Sequence, residues 1–481
     1  MFQPIIQTEL LMLLRSRWLL LLPVLLLALC LFAAYNGKQK VEKRRAAISQ
    51  AMAEVAEGDQ MMRLALDSLA AGHAVRGISP WRLPSRPTAV GNYHPRVAAV
   101  RIEDISLIAT GQSDLYADLV KPTLTGEDFA LNFTEMTSPV QLMFGSFDLS
   151  FVLIYLLPLI VIAFSFDLLS GERERGTLRL LAAQPMEVFN WLMQKTALRF
   201  GVLAAITAVS LLAALVISGV SLTQNAAAVG QFLLLSLAYL LFWFGLAWLV
   251  NLAGKSSAQN AVSLLALWVG IVLLIPSVVS QLASSLHPAP SRTRMIHEMR
   301  SLKAETEKEQ DQILAEYLRN HPELAVENAD DPATAYGWWQ RYFAAQDLVK
   351  QKLEPLFSQY DRQLALQQAQ ADRFRFASPA ILMQEALSDL AKTSTPHYQD
   401  YRKQVIEFAA EWRAFFLPMI FKNQDFTLDK LAALPAFRYE KATGGGYFQI
   451  NLWSLLLYAL GLPLLGMLRY RRSLIENLVV S

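Results

Sequence analysis

The residues best suited to chemistry in this chain form one short charged turn, ERERGT, at residues 172–177. A leucine-rich stretch and Pro185 follow, and Lys195 stands where the next apolar run begins. This order predicts a helix that leaves a membrane, a break, a short amphipathic helix along the interface and a return. On bulk features alone, an ordinary interfacial loop with its charges among the lipid headgroups accounts for the pattern.

Nucleotide binding by the chain itself is not indicated. A phosphate-cradling loop requires the pattern G-x-x-x-x-G-K-[ST]. Gly254-Lys255-Ser256 supplies the ending, but Leu249 stands where the first glycine should be, inside an apolar run. We ascribe this partial match to chance, and predict that the chain is not an enzyme and binds no cofactor of its own.

Histidine and cysteine could supply metal ligands, but their spacing does not favour a metal site. No two histidines share the close spacing that puts two ligands on one helix face, so only distant ones could meet in the fold. The single cysteine, Cys30, lies in an apolar run, which leaves no internal disulfide and no cysteine cluster. We therefore predict no metal. All six histidines fall in two long polar segments: His73, His94, His287, His297, His321 and His397.

Six apolar segments are long enough to cross a membrane in a chain that is 54% hydrophobic. Crossing the hydrocarbon core takes about 20 helical residues, because each residue advances a helix by about 1.5 Å. These segments are almost free of ionisable residues, which argues against an ion-coupled pump. The first could instead be a cleaved signal peptide, but its polar leader is long for one. The predicted spans are residues 18–35, 149–169, 197–220, 230–253, 262–284 and 448–468.

Basic residues in the short loops and tails fall on one side of the membrane if both termini are cytoplasmic. A basic cluster at residues 38–45 would lie on the opposite side. It opens a long segment, however, and long segments translocate largely regardless of charge. We keep the orientation with both termini inside, and the formal net charge of +2 gives no sign of a nucleic-acid partner.

Two long polar segments, residues 36–148 and 287–447, then lie outside the cytoplasm. The first opens with helical periodicity and continues with proline, glycine and short β-like runs such as Val97–Ile108, which predicts a mixed α/β structure. The second is predicted to be mostly helical, with Gly444–Gly446 as a flexible joint before the last span. The predicted fold is mainly α: six transmembrane helices with two large extracytoplasmic segments, which we expect to pack together.

The charged turn resembles that of the ABC-2 type permease family of ABC transporters. In that family, the second and third spans are joined by an acidic–basic pair, a Gly-Thr, a leucine pair, a proline and a lysine at similar spacings. The topology is similar too, from an amphipathic helix at residues 1–17 to a cytoplasmic tail at 469–481. The chain most resembles the subfamily with large insertions after the first and fifth spans. Further matching stretches are Gly145–Asp148, Ser378–Ala380, Ser388–Ala391 and Leu434–Phe437.

The resemblance implies a permease of the bacterial inner membrane that does not itself hydrolyse ATP. A separate cytoplasmic ATPase dimer would bind ATP and push on the coupling loop, residues 170–196. Exposed charges on a short rigid element suit the transmission of a push to the attached spans. The permease would pair with itself or with a similar second subunit. The resemblance assigns ATPase coupling to Glu172, Arg173, Glu174, Gly176, Thr177 and Pro185.

Two rival functions are compatible with the same spans. In a mechanotransmission complex, ATP hydrolysis would move the outside segments and no cargo would cross the membrane. A membrane-anchored scaffold or sensor would bind a partner outside, but it would not need a cytoplasmic coupling element. Membrane lipid is an expected neighbour in every case, and a periplasmic partner is left open. The residues specify neither the substrate, nor the direction of transport, nor whether the second permease subunit is identical.

Overall fold

Helices account for most of the chain in the computed structural model, which describes residues 9, 11, 15, 17–75, 77–114, 116–126, 147–178, 188–288, 291–326, 336–440 and 446–473. Within these residues the sheet is one antiparallel pair, β1 (Ala98–Ala99) and β2 (Leu119–Val120), with Ala98 opposite Val120. The predicted mainly α fold is confirmed. The β-like run predicted at residues 97–108 is reduced to β1, because residues 104–108 form a 3₁₀ helix.

The helices of the described residues are numbered in chain order. They are α1 (Arg17–Ala70), α2 (Pro87–Tyr93), α3 (Leu149–Phe151), α4 (Leu157–Ser165), α5 (Ser170–Glu174), α6 (Val188–Ile217), α7 (Ala226–Asn251), α8 (Ser257–Trp268), α9 (Ile275–Leu286), α10 (Arg292–Thr306), α11 (Gln310–Asn320), α12 (Trp338–Phe374), α13 (Pro379–Leu390), α14 (Thr395–Phe421), α15 (Leu428–Ala432) and α16 (Phe448–Ser473). Two π-helical stretches, Val152–Leu156 and Val269–Leu274, join α3 to α4 and α8 to α9. Short 3₁₀ helices cover Pro80–Arg82, Asp104–Ile108, Gly111–Asp114, Pro322–Leu324 and Arg375–Ala377.

Six helical stretches are long and apolar enough to cross a membrane, as expected of a multi-pass membrane protein. Helix α1 carries the first span and continues unbroken to Ala70, so the span and the charged helical stretch predicted after it form one helix. The helix of the third span begins at Val188, so Lys195 lies within it and not in a loop. The six stretches are Leu21–Ala70, Leu149–Glu174, Phe189–Ile217, Ala226–Asn251, Ser257–Leu286 and Phe448–Leu468.

Several predicted features lie outside the described residues, in whole or in part. They are most of the amino-terminal helix at residues 1–17, Gly145 and Ser146, Pro185, Gly444 and Gly445, and residues 474–481 of the tail.

Spans two and four form the centre of the bundle. In their most apolar windows 67% and 61% of the residues are buried, whereas the other four spans bury 33% or less. The hydroxyl of Tyr239 in span four donates a hydrogen bond of 3.2 Å to the carbonyl of Ile154 in the π-helical stretch of span two. Gly466 of span six lies against Trp248, where a Cβ would come within 2.4 Å of the indole. Small residues of this kind allow two membrane helices to approach closely.

The bundle has two distinct ends. We call the end that carries residues 166–178 and 252–257 the loop end, because short connections join the spans there. The opposite end, where residues 36–148 and 287–447 join the spans, is the segment end.

The two long segments share one hydrophobic core, as expected from the sequence. Met62, Val90 and Ala98 of the first segment lie in the same buried cluster as Tyr401 and Trp412 of the second. The Trp412 indole donates to the carbonyl of Gly91 at 3.1 Å, and the Tyr401 hydroxyl donates to the carbonyl of Ala98 at 3.0 Å. We call the resulting unit the segment assembly.

Buried polar groups fasten the segment assembly to the start of span two. The carboxylate of Asp148 caps α3 by accepting the N–H of Phe151 at 3.0 Å, and it also accepts the N–H of Thr110 at 2.8 Å. The hydroxyl of Thr393 donates to the carbonyl of Ala109 at 2.9 Å. Both long segments therefore meet at the beginning of span two. A shift of that span would displace both of them.

The carboxyl group of Glu385 lies between α13 and the start of α16. The amide of Asn451 donates to it at 3.0 Å, and the Arg375 guanidinium lies 3.7 Å away. The Asn451 contact therefore joins α13 to the first turn of span six.

Candidate functional site at the loop end of spans two and three

The charged turn at residues 172–177 lies where α5 ends. Gly176 adopts a φ of +76°, a left-handed conformation that residues with a Cβ rarely take and that commonly terminates helices. Its N–H donates to the carbonyl of Arg173 at 3.1 Å. The hydroxyl of Thr177 then lies within hydrogen-bond reach of Glu172, 3.0 Å from its carbonyl and also close to its carboxylate. The Gly-Thr pair therefore folds the chain back onto the helix it has just left.

A buried ion pair connects this turn to span three. The ammonium group of Lys195 lies 2.8 Å from the carboxylate of Glu172, and both residues are buried. Lys195 also lies 3.7 Å from Glu9 and stands over the ring of Trp191, 5.0 Å from its centroid. A buried charge that loses its partner is strongly destabilising, so each partner holds the other in place. The position of the turn relative to α6 is thereby fixed.

Arg199 extends the network by one helical turn. Lys195 and Arg199 are four residues apart on α6, so they share a face. The Arg199 guanidinium lies 2.7 Å from Glu9 and 3.0 Å from Asp167, and it donates to the carbonyl of Phe164 at 2.8 Å. Glu9 thus stands between two cations of span three. It ties the residues that precede span one to spans two and three.

A second layer, made of amides and hydroxyls, joins spans two, four and five. The side-chain amide of Asn251 donates to the carbonyl of Ser165 at 2.9 Å and accepts the N–H of Leu169 at 3.3 Å. The amide of Asn260 lies 3.2 Å from the hydroxyl of Ser170. These side chains occupy sites where the helix of span two is interrupted between α4 and α5. Together the two layers link the loop ends of spans two to five.

Three consecutive charges remain on the outside of the turn: Arg173, Glu174 and Arg175 are exposed. Arg173 donates to the carbonyl of Gly254 at 2.5 Å. Glu174 accepts the N–H of Ser257 at 2.7 Å and its hydroxyl at 2.9 Å. Arg175 follows at the carboxyl end of α5, where a cation is favoured. The exposed face of the turn is thus anchored to the connection between spans four and five.

The structure divides the predicted coupling residues into two groups. Glu172 is buried, so it positions the turn from inside, whereas a charge on the surface would be needed for direct contact with a partner. Thr177 is half-buried beside it, and Pro185 lies outside the described residues. The exposed group is Arg173, Glu174 and Gly176.

Sequence reasoning gave no coupling role to Glu9, Asp167, Arg199, Asn251 or Asn260. One signal was available, because Lys195 and Arg199 are two cations at helical spacing beside an apolar run and must find partners when they are buried. Which carboxylates would supply those partners could not be read from the spacing.

This arrangement is suited to transmitting force. A body pressing on residues 173–175 would act on an element that is bonded to four spans, so their loop ends would move together. Within the described parts of the chain, no three histidine, cysteine, aspartate or glutamate side chains are grouped as a metal site requires.

A protein-family model, Domain of unknown function (DUF3526), matches residues 292–440. This stretch belongs to the second long segment and runs from α10 through α15. No curated protein and no solved structure matches the chain. The matched family therefore describes one part of the segment assembly, and the loop-end site has to be interpreted from its own geometry.

Proposed function

We propose that the chain is the permease subunit of an ABC transporter of the bacterial inner membrane. It would couple ATP hydrolysis by a separate ATPase dimer to substrate export or to work outside the cytoplasm. The ATPase would dock at the loop end against Arg173, Glu174 and Arg175. The observation that supports this best is the buried network of Glu172, Lys195, Glu9 and Arg199, since an exposed turn without such an anchor would yield under load. A second permease subunit, identical or similar, would complete the transporter.

The proposed orientation places the loop end and both termini in the cytoplasm and the segment assembly in the periplasm. Its support is the distribution of basic residues, which are frequent in short cytoplasmic loops. Arg173, Arg175 and Lys255 all belong to the short connections at the loop end. The tail adds three further arginines at positions 469, 471 and 472.

A mechanotransmission complex is the second candidate, and the continuity of the helices favours it. Because α1 runs unbroken from span one into the segment assembly, a tilt of that span would be passed on directly. Span five likewise continues as α9, which packs along α12 of the assembly. ATP hydrolysis could then move the segment assembly without any cargo crossing. A scaffold or sensor is less favoured, because it would have no use for a turn anchored to four spans.

The coupling proposal predicts that Arg175→Glu will weaken binding of the ATPase. Arg175 is exposed, and reversing a charge in a contact surface costs several kcal/mol. Recovery of the ATPase should fall by at least about tenfold, since each 1.4 kcal/mol is a factor of ten. The measurement is affinity purification of the tagged chain from its native host, with mass spectrometry and assay of ATP hydrolysis.

Lys352→Glu is the matched control. It is the same kind of charge reversal at an exposed position of α12, in the segment assembly. It should leave ATPase recovery unchanged, and circular dichroism should report equal helix content for both variants. Full ATPase recovery and stimulation with Arg175→Glu would show that the turn is not the docking surface.

A further inference from the structure

The second long segment returns towards the spans before it ends. At the end of span five, the amide of Gln367 in α12 donates to the carbonyl of His287 at 2.6 Å. Eleven residues later, the hydroxyl of Ser378 donates to the carbonyl of Ile271 at 2.6 Å. The second contact lies much nearer the loop end than the first. The chain therefore runs back along span five between these two points.

The position of Ile271 along span five indicates how deep this return reaches. Ser257 begins the helix beside the charged turn, and Ile271 lies about 21 Å further along it. The hydrocarbon core of a bilayer is about 30 Å thick. Ile271 therefore falls inside the core, in the half nearer the segment end. A later membrane boundary in span five would place it deeper still.

Span six gives an independent measure of the same depth. The hydroxyl of Tyr458 donates to the carbonyl of Phe376 at 2.6 Å. Tyr458 lies about 15 Å beyond Phe448, the first residue of α16. Tyrosine side chains in helices lean towards the start of the helix, so the hydroxyl lies nearer the segment end than its own Cα does. Even so, Phe376 lies beside a part of span six that has already entered the bilayer.

Helix α13 continues from this point into the core of the bundle. Leu382, Met383, Ala386 and Leu387 are fully buried and belong to the same hydrophobic cluster as spans two, four and six. Ile105 and Ile108 of the first long segment also belong to this cluster, where the segments meet the spans. The shared packing therefore joins α13 to the bundle, and the contacts of Phe376 and Ser378 give its depth.

Protein groups satisfy backbone polar atoms in the 3₁₀ turn Arg375–Ala377, which leads into α13. Irregular backbone is tolerated at membrane depth only where its polar groups are satisfied by protein. Tyr458 satisfies the carbonyl of Phe376, and the hydroxyl of Ser378 accepts the N–H of Ala380 at 3.2 Å. Pro379, the first residue of α13, has no N–H to satisfy.

The one charge in the turn is shielded. Arg375 is buried, with its guanidinium 3.9 Å from the ring centroid of Tyr447 and 5.1 Å from that of Phe376. Its Nε and Nη1 atoms have no hydrogen-bond acceptor within the described residues. The two rings and Glu385, at 3.7 Å, therefore provide its stabilisation.

Two aromatic side chains of the turn remain uncovered: Phe374 is 43% exposed and Phe376 is 40% exposed. The contacts of Phe376 and Ser378 place this turn next to spans five and six, whose outer residues Leu274 and Leu457 are exposed and apolar. Because this apolar surface continues that of the spans, the acyl chains of the surrounding lipid are what would cover Phe374 and Phe376.

We infer that residues 374–390 form a re-entrant element, in which the turn at Arg375–Ala377 and helix α13 lie within the leaflet at the segment end. Phe374 and Phe376 insert among the lipid acyl chains beside spans five and six. The segment assembly thus contacts the acyl chains of this leaflet directly, and a movement of the assembly would displace lipid in the leaflet. This inference does not depend on the proposed transport function.

Spin labels can test this placement in the full chain reconstituted in phospholipid nanodiscs. The native Cys30 is buried, so wild-type protein should take up no label. Phe376→Cys is the test position, Leu457→Cys the lipid-facing reference and Gln359→Cys the water-facing reference on α12. Collision rates are measured with oxygen, which concentrates in lipid, and with a polar nickel chelate, which remains in water.

The label at Phe376→Cys should collide more often with oxygen than with the nickel chelate, as at Leu457→Cys, and the order should be reversed at Gln359→Cys. A label at Phe376→Cys that behaves like the one at Gln359→Cys would overturn the inference. Phe374→Cys provides a second position with the same expectation should the first variant fold poorly. Agreement of either position with the water reference would place the turn outside the bilayer.

Discussion

Lys195→Ala should lower the free energy of unfolding of the bundle by about 3–5 kcal/mol, the cost of leaving a buried charge without its partner. The ammonium group lies 2.8 Å from Glu172 and 3.7 Å from Glu9, and all three residues are buried. Without Lys195, the buried Glu172 carboxylate keeps the hydrogen bond from the Thr177 hydroxyl and the weaker attraction of Arg175. The measurement is thermal or denaturant unfolding in detergent micelles, followed by tryptophan fluorescence.

Two controls separate the buried pair from the mere loss of a lysine. Lys255→Ala removes an exposed lysine at the same end of the bundle and should change stability by no more than about 0.5 kcal/mol. The double variant Glu172→Gln with Lys195→Met removes both charges, and it should recover most of the loss because neither is left unpaired. Glu9 retains Arg199 in that variant. If Lys195→Ala had the same free energy of unfolding as the wild type, the network would not be what fixes the turn.

The loop-end site shows how far sequence reasoning reaches. The turn itself could be located, because ERERGT is a dense charge cluster between two apolar runs and a glycine must end the helix there. The ion pairs could not, because Glu9 and Arg199 are 190 residues apart and nothing in their local spacing relates them. As a result, the sequence alone predicts Glu172 to be exposed with its neighbours, although its partner Lys195 lies inside the next span.

The first span illustrates a different limit. The sequence predicts an apolar span and a charged helical stretch after it, but it does not show that the two are one continuous helix. Glycine commonly interrupts helices, yet Gly37 lies within α1. A Cβ at Gly37 would come within 2.3 Å of the carbonyl of Leu107, so this glycine allows the first segment to approach the helix. Local sequence does not distinguish a helix-breaking glycine from one that makes room for a neighbour.

Gly446, at the carboxyl end of the second segment, is a second glycine whose role depends on a tertiary contact. The run Gly444–Gly446 was predicted to be a flexible joint, and its first two residues lie outside the described part of the chain. Gly446 is packed against Asp389, since a Cβ there would come within 2.2 Å of the carboxylate. Tertiary contacts with α13 thus account for this glycine, and no sequence pattern predicts these contacts.

The unity of the segment assembly leads to the second large expected effect. Trp412 is fully buried in the shared core and bonds through its indole to the carbonyl of Gly91. Trp412→Ala should destabilise the assembly by about 3–5 kcal/mol, because it removes a large buried side chain and leaves a cavity. Trp412→Phe keeps most of the ring volume and should cost less, about 1 kcal/mol for the lost hydrogen bond plus the smaller change in packing.

Hydrogen exchange resolved by peptide distinguishes loss of a shared core from local damage around residue 412. If the two long segments are one folding unit, Trp412→Ala should lower protection in peptides of residues 85–100 as well as in α14. Spans two and four, whose buried residues belong to a different cluster from Trp412, should stay protected. Loss of protection in α14 alone would mean that the first segment is stable by itself. Force could then not pass between the two long segments through their common core, and only the contacts of each segment with the spans would remain to move it.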